Sequence, residues 1–264
     1  MSFFGVRTVM IQTVTKGETM QFRLACLLFV TATAFADDST KQATDIITEM
    51  ERLYRGNASR STLTMTIRTP NFERHLTMTG ESMGQDYGFY RILSPKKDHG
   101  IATLKREKEM WNYFPKINKV IKVPPSMMTG SWMGSDFTND DLLRESELVD
   151  AYNLELEETE AQYLIILTPR EDTVTVWGKI EYVVDKKEML PLSHTFYDER
   201  GVKIRIMEFG EITQFEGVRL PSSITVTPLN KQGHSTAIVY DNLDFEPADI
   251  SEQTFTLRNL KSRF

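Results

Sequence analysis

The chain has 264 residues, with 31 Lys and Arg against 37 Asp and Glu, a formal charge of −6 and a single cysteine. No basic stretch is dense enough to make the positive face that nucleic acid requires or a polybasic membrane anchor. One cysteine leaves no disulfide framework and no thiolate-rich metal centre.

Taken in chain order, the opening segment reads as a targeting sequence. Met20-Gln21-Phe22-Arg23 supplies a basic start, Leu24-Ala25-Cys26-Leu27-Leu28-Phe29-Val30 an apolar run, and Ala34-Phe35-Ala36 an A-x-A cleavage site. The apolar run falls far short of the ~20 residues that a membrane-spanning helix needs. Cys26 sits inside that run with Arg23 three positions upstream, unlike the small apolar context of a lipid-anchored cysteine. The expectation is an upstream extension and signal peptide over residues 1–36, with Met20 as the start, and one exported, periplasmic domain over 37–264. Without Arg7, Lys16, Glu18 and Arg23 that domain carries 28 basic and 36 acidic residues, a charge of −8, and no cysteine. All-β domains of ~200–250 residues commonly stay undivided.

Ala43, Ile46, Ile47, Met50, Leu53 and Tyr54 recur at helical spacing, which predicts an amphipathic helix over Asp45–Arg55 that stops at Gly56-Asn57. Beyond it the pattern changes to period two. Ser61–Arg68 alternates strictly, and Leu76–Thr79 resumes the alternation after a turn at Pro70-Asn71. Further strands are expected at Tyr87–Leu93, Ile101–Arg106, Met110–Phe114, Lys119–Val123, Leu154–Glu158, Tyr163–Thr168, Trp177–Val184, Ser193–Tyr197, Val202–Phe215, Ser223–Thr227 and Ala237–Phe245. About a dozen strands at hairpin spacing, without interleaved helices, make the sheet antiparallel. Its apolar face needs a cover. The sequence offers helical material in two places: the leading helix, and a break after Val123 where Pro124-Pro125 stops the strand and Thr138-Asn139-Asp140-Asp141 can cap a short helix through Leu142-Leu143-Arg144. The fold class that follows is mainly β, a large antiparallel sheet curved into an open half-barrel, with its concave face covered by the N-terminal helix and a short-helix lid.

The break itself is the most distinctive stretch. Met127, Met128, Trp132, Met133 and Phe137 lie among Gly130 and Gly134. Methionine adapts to ligands of variable shape at little packing cost, so such a cluster suits a lid over an apolar cavity. The same residues would equally plug an ordinary core. Trp111 and Tyr113 share one face of their strand and Phe114 takes the other. Lys116, Lys119 and Lys122 could form a basic rim, or merely protect a strand edge from aggregation.

Signals for chemistry are thin. His75, His99, His194 and His234 are far apart and match no metal-ligand spacing; lone histidines of this kind are mostly surface or hydrogen-bonded. No G-x-S-x-G elbow, P-loop or cysteine nucleophile occurs after the leader. Asp140-Asp141 could act as paired carboxylates, but helix capping accounts for both. The reading is of no catalytic residue, no metal and no cofactor.

The signal peptide, the leading helix, the Thr-rich meander, Trp111-Asn112-Tyr113-Phe114-Pro115, and Gly134-Ser135-Asp136-Phe137-Thr138 leading to Asp140-Asp141-Leu142 together resemble the outer-membrane lipoprotein-sorting, LolA-like proteins, in their broader uncharacterised branch. The resemblance extends over residues 40–264 and includes the closing Phe255-Thr256-Leu257-Arg258. It implies a monomeric periplasmic carrier that holds acyl chains of a lipid or acylated lipoprotein, with transient membrane contact and an inner-membrane resistance-nodulation-division (RND)-type transporter as partner. The residues expected to line its cavity are Met65, Ile67 and Met78 of the first two strands, Trp111 and Tyr113, and the lid residues Met127, Met128, Trp132, Met133 and Phe137. Two other functions stay open on the same fold: an envelope-stress sensing or protein-interaction module, and an envelope hydrolase whose polar site would involve Asp136, Asp140 or Asp141.

Overall fold

A computed structural model describes residues 32–144, 148–173 and 175–262. Helix α1 (Ala32–Arg52) is followed by strands β1 (Ala58–Arg68), β2 (Glu73–Met83), β3 (Tyr87–Ser94), β4 (Ala102–Arg106), β5 (Glu109–Phe114) and β6 (Lys119–Lys122). Two short helices, α2 (Asn139–Arg144) and α3 (Leu148–Ala151), interrupt the strands. The second run is β7 (Tyr152–Glu158), β8 (Gln162–Pro169), β9 (Lys179–Asp185), β10 (Leu190–Tyr197), β11 (Lys203–Phe215), β12 (Val218–Pro228) and β13 (Ser235–Phe245), closed by helix α4 (Leu257–Leu260).

All thirteen strands form one sheet, in the order β6-β5-β4-β3-β2-β1-β13-β12-β11-β10-β9-β8-β7. Every neighbour is antiparallel, so the two runs are meanders joined where β1 pairs with β13. β6 and β7 are the two edges, and the chain between them, residues 123–151, must travel from one edge of the open barrel to the other. Connectivity alone therefore carries the lid across the opening. Charged residues blunt both edges, Lys119 and Lys122 on β6, Glu155 and Glu157 on β7, which discourages further strands from adding.

Alternation decides which face is covered. On β1, Leu63, Met65 and Ile67 are buried while Thr62, Thr64 and Thr66 between them are half-exposed. Leu76 and Met78 lie beside them on β2, and burying each such side chain contributes roughly 1.5–3 kcal/mol. Gly80 on β2 is needed for close approach, since a Cβ there would meet Ser61 Oγ at 2.7 Å. The ring of Tyr90 would also lie 3.2 Å from it.

Three covers complete the core. α1 lays Ala43, Ile46, Ile47 and Met50 on the β7–β10 end, against Leu154, Ile165 and Val184 among others. The segment between β6 and α3 covers the β1–β3 and β12–β13 region with Trp132, Phe137, Leu142 and Leu143. α4 and the turn before it cover the opposite, convex face of β3–β5, where Phe255 and Leu260 are fully buried against Phe89, Leu104 and Tyr113.

The strand pattern is as expected, nine strands running one to seven residues longer than the alternation suggests and β4, β6, β9 and β11 one residue shorter. Helix content differs. α1 starts thirteen residues before Asp45 and ends at Arg52, with Gly56 at φ +54° receiving the chain as it leaves. The expected leader lies outside the described residues except for 32–36, which fall in the first turns of α1. α3 and α4 add helix where none was expected, because four residues carry no periodicity to read.

Candidate functional site

The lid begins where Val123 N–H bonds Met110 O at 2.8 Å and Pro124-Pro125 ends the ladder by withholding donors. It is internally tied. Ser131 and Thr138 form an isolated bridge, Trp132 N–H donates to Phe137 O at 2.8 Å, and Met133 (φ 51°) with Gly134 (φ 78°) reverses the chain between them. Asn139 Nδ2 donates to Met127 O at 3.1 Å and Gly130 O at 3.3 Å. Thr138 and Asp141 then cap α2 reciprocally: Asp141 N–H donates to Thr138 Oγ1 at 3.1 Å and Thr138 N–H to Asp141 Oδ2 at 2.7 Å. This is a shaped cover rather than a slack hinge.

Four polar contacts fasten the cover to the sheet. Arg205 on β11 grips the Asp141 carboxylate with both terminal nitrogens, one at 2.8 Å, and its guanidinium lies 4.1 Å from the Phe196 ring and 4.7 Å from that of Trp177. Thr236 on β13 donates to Asp136 Oδ2 at 2.8 Å and accepts from Asp136 N–H at 3.0 Å. Trp132 Nε1–H donates to Thr103 Oγ1 on β4 at 3.0 Å, and Thr103 in turn donates to Asn112 Oδ1 at 2.7 Å. Arg74 on β2 donates to Met133 O at 3.2 Å while paired with Asp98 at 2.9 Å.

Between lid, α1 and the concave sheet is a cavity of about 150 Å³. Met50, Glu51 and Tyr54 line it from α1 and the turn that follows; Trp132, Phe137 and Leu142 line it from the lid. The sheet contributes Tyr90, Tyr182, Phe196, Phe209 and Tyr240 beside aliphatic residues such as Leu63, Ile180 and Ile238, so its walls are apolar and rich in aromatic rings. Trp132 meets Tyr90 edge-on, 5.4 Å between centroids, and Tyr54 stacks on Tyr240 at 5.1 Å. Every charged side chain among the lining residues is a carboxylate: Glu51, Asp140 and Asp141. Glu51 is nearly buried and accepts from Leu148 N–H at 3.1 Å and Gln85 Nε2 at 3.2 Å, which ties α1 to α3. A second depression of about 310 Å³ flanks the lid between Arg74, Asn112, Phe114 and Met133. It is larger, but half its lining is polar or glycine, so the smaller cavity is the more apolar of the two.

The expected residues divide accordingly. Trp132 and Phe137 line the cavity. Met65, Ile67 and Met78 are buried in the same cluster, with Met128 and Met133 packed partly buried against it. Met127 is 59% exposed. Trp111 and Tyr113 do share a face, but it is the convex one, where they join Phe255 and Leu260; the concave side of β5 carries Met110 and Asn112. Asp136 and Asp141, candidates for a polar site, are both engaged in fastening the lid. All three lysines are exposed, and Lys122 pairs with Glu109 and lies over Trp111.

Sequence reasoning missed the β9–β11 wall, above all Arg205 and His194. His194 is no surface histidine. It is 8% exposed, stacked on Tyr182 with Phe209 4.6 Å away, and its Nε2 has no hydrogen-bond partner among the described residues. Burial, with Arg205 nearby, pushes its pKa down to about 3, so the ring is neutral at ordinary pH. Among the described residues no group of three or more His, Cys, Asp or Glu could hold a metal ion, and no helix is long and apolar enough to cross a membrane.

A curved antiparallel sheet of this order, closed by a lid between its edges, is the architecture of the LolA-like proteins. A family model described as an uncharacterized protein matches residues 84–262, and the chain belongs to that family. Among solved structures the chain is similar to an outer membrane lipoprotein-sorting protein domain from Vibrio parahaemolyticus, at 21% identity and TM-score 0.74, over 84% of this chain and 100% of that one. A DUF1329 family protein from Desulfovibrio piger is similar at 22% identity and TM-score 0.76, over 84% and 99%. A LolA superfamily protein from Nitrosomonas europaea follows at 17% identity and TM-score 0.68, over 82% and 98%. At these identities the likeness establishes the fold, which is the one expected from sequence. No curated protein matches the chain.

Proposed function

We propose that this protein is a periplasmic carrier, and not an enzyme, which holds the acyl chains of a lipid or lipoprotein in the lidded cavity during transfer between envelope membranes. The observation that carries the reading is the apolar, aromatic-rich cavity beneath a cover that spans the two open edges of the sheet. Ligand cavities for whole small molecules usually measure ~300–1,000 Å³. At about 150 Å³ this one is smaller, and taking in a whole chain would widen it, with the lid releasing some of its four fastenings. An inner-membrane exporter of the RND type would be a natural donor or acceptor for such cargo, and transfer would proceed through brief contact with a membrane.

Native mass spectrometry of the protein purified from a bacterial periplasm, followed by solvent extraction, tests this. A stoichiometric lipid or acylated peptide is the expected result. A bare mass, together with no uptake of a fluorescent acyl probe, would overturn it. Trp132→Asp places a charge inside the cavity wall and should weaken probe binding while the β-sheet circular dichroism is retained.

A further inference from the structure

We infer that His194 is a polar anchor within the cavity, which selects amphiphiles bearing an uncharged oxygen group, a hydroxyl or an ester carbonyl, over ionised fatty acids. The inference rests on the carrier reading and says which lipids the same site prefers. A buried polar atom without a partner is uncommon in a folded protein and costs about 1–3 kcal/mol. His194 Nε2 is such an atom, and His194 is also one of the residues that line the cavity. Phe209 and Tyr182 pack on its ring, so the neighbours of the imidazole are aromatic and no described residue meets Nε2. A hydroxyl or carbonyl oxygen buried against Nε2 would supply the bond that no described residue does. A pure hydrocarbon would leave the atom orphaned.

Charge is selected against by the other groups present. The charged lining residues, Glu51, Asp140 and Asp141, are all carboxylates. Arg205, the cation beside His194, is not among the lining residues and has its charge matched by Asp141 through both terminal nitrogens, its Nε alone lacking a partner among the described residues. A neutral imidazole offers an incoming carboxylate no countercharge, so an ionised headgroup would be desolvated without compensation. An alcohol or ester is desolvated at far smaller cost and can pair with Nε2.

Competition binding with 1-dodecanol and dodecanoate, which share a chain length, tests this on the full chain and on His194→Phe, with displacement of N-phenyl-1-naphthylamine as the readout. Loss of one neutral hydrogen bond should raise the ratio of the dodecanol to the dodecanoate dissociation constant about fivefold in the variant. An unchanged ratio, whether both ligands weaken together or neither does, overturns the anchor and leaves the carrier reading intact. A wild-type protein that binds neither ligand and no naphthylamine overturns both. Because a variant can fail to fold, the ¹⁵N resonances of the His194 imidazole in the wild-type protein provide a second measure: they should shift on saturation with 1-dodecanol, and nitrogens that do not move while the alcohol is bound refute the contact.

Discussion

Replacing Arg205 by methionine should destabilise the protein mainly by stranding Asp141. The guanidinium side chain is 4% exposed and the carboxylate 13%, so both charges are largely out of water and satisfied chiefly by each other. Removing one partner of a buried pair typically costs ~3–5 kcal/mol, because the charge left behind is desolvated without compensation. Here about 3 kcal/mol is expected, the lower end, since Asp141 keeps the Thr138 N–H at 2.7 Å and some solvent contact. Urea unfolding followed by tryptophan fluorescence measures it; with slopes of ~1–3 kcal/mol/M the midpoint should fall by about 1–2 M. The sharper prediction concerns the double variant. Asp141→Asn removes the charge but keeps an oxygen for the Thr138 cap, so Arg205→Met combined with Asp141→Asn should recover most of the loss. If the two single effects simply add, to within ~0.5 kcal/mol, the pair is not coupled and the account of how the lid is fastened fails. Arg205→Met should also speed uptake of an acyl probe, because the lid loses its only ion pair to β11 among the described residues.

Other consequences follow from the same packing. Trp132→Phe fills most of the same space but gives up the bond to Thr103 Oγ1 at 3.0 Å, and should cost about 1–2 kcal/mol in urea unfolding; a loss below ~0.5 kcal/mol would show that the bond contributes little. Phe255→Ala empties a fully buried site on the convex face, at a cost of ~3–5 kcal/mol, without altering probe affinity; reduced affinity at unchanged fold would mean that this face also takes part in binding. The His194 pKa is depressed from 6.5 to about 3, so the unfolded chain binds the proton first and stability present above pH 6.5 drains away as pH falls toward 3. Between pH 7 and pH 5 this amounts to about 2 kcal/mol. His194→Phe should abolish that part of the pH dependence, and an unaltered profile would assign it to other groups.

Much of this protein was legible in its sequence for a simple reason: strand and helix announce themselves through local period. The alternation in Ser61–Arg68, the helical spacing of Ala43 to Tyr54, the Pro124-Pro125 stop and the Thr138 to Asp141 cap are each complete within a dozen residues, and each has its element in the structure, the helix with ends shifted to Ala32 and Arg52. The antiparallel half-barrel follows from their number and order. What period cannot supply is the choice of face. Trp111 and Tyr113 were correctly placed on one side of β5, yet that side is the convex one, because α4, too short to leave a pattern, covers it. In Val202-Lys203-Ile204-Arg205-Ile206 the isoleucines look like the inner residues. The fold instead turns Arg205 inward, where Asp141 and the rings of Phe196 and Trp177, 64, 9 and 28 residues away in sequence, make a buried cation tolerable. Local chemistry determined the elements and the lid; which side chains meet across the cavity was decided only when β6 and β7 became opposite edges of one sheet, bringing together residues whose partners no nearby sequence could name.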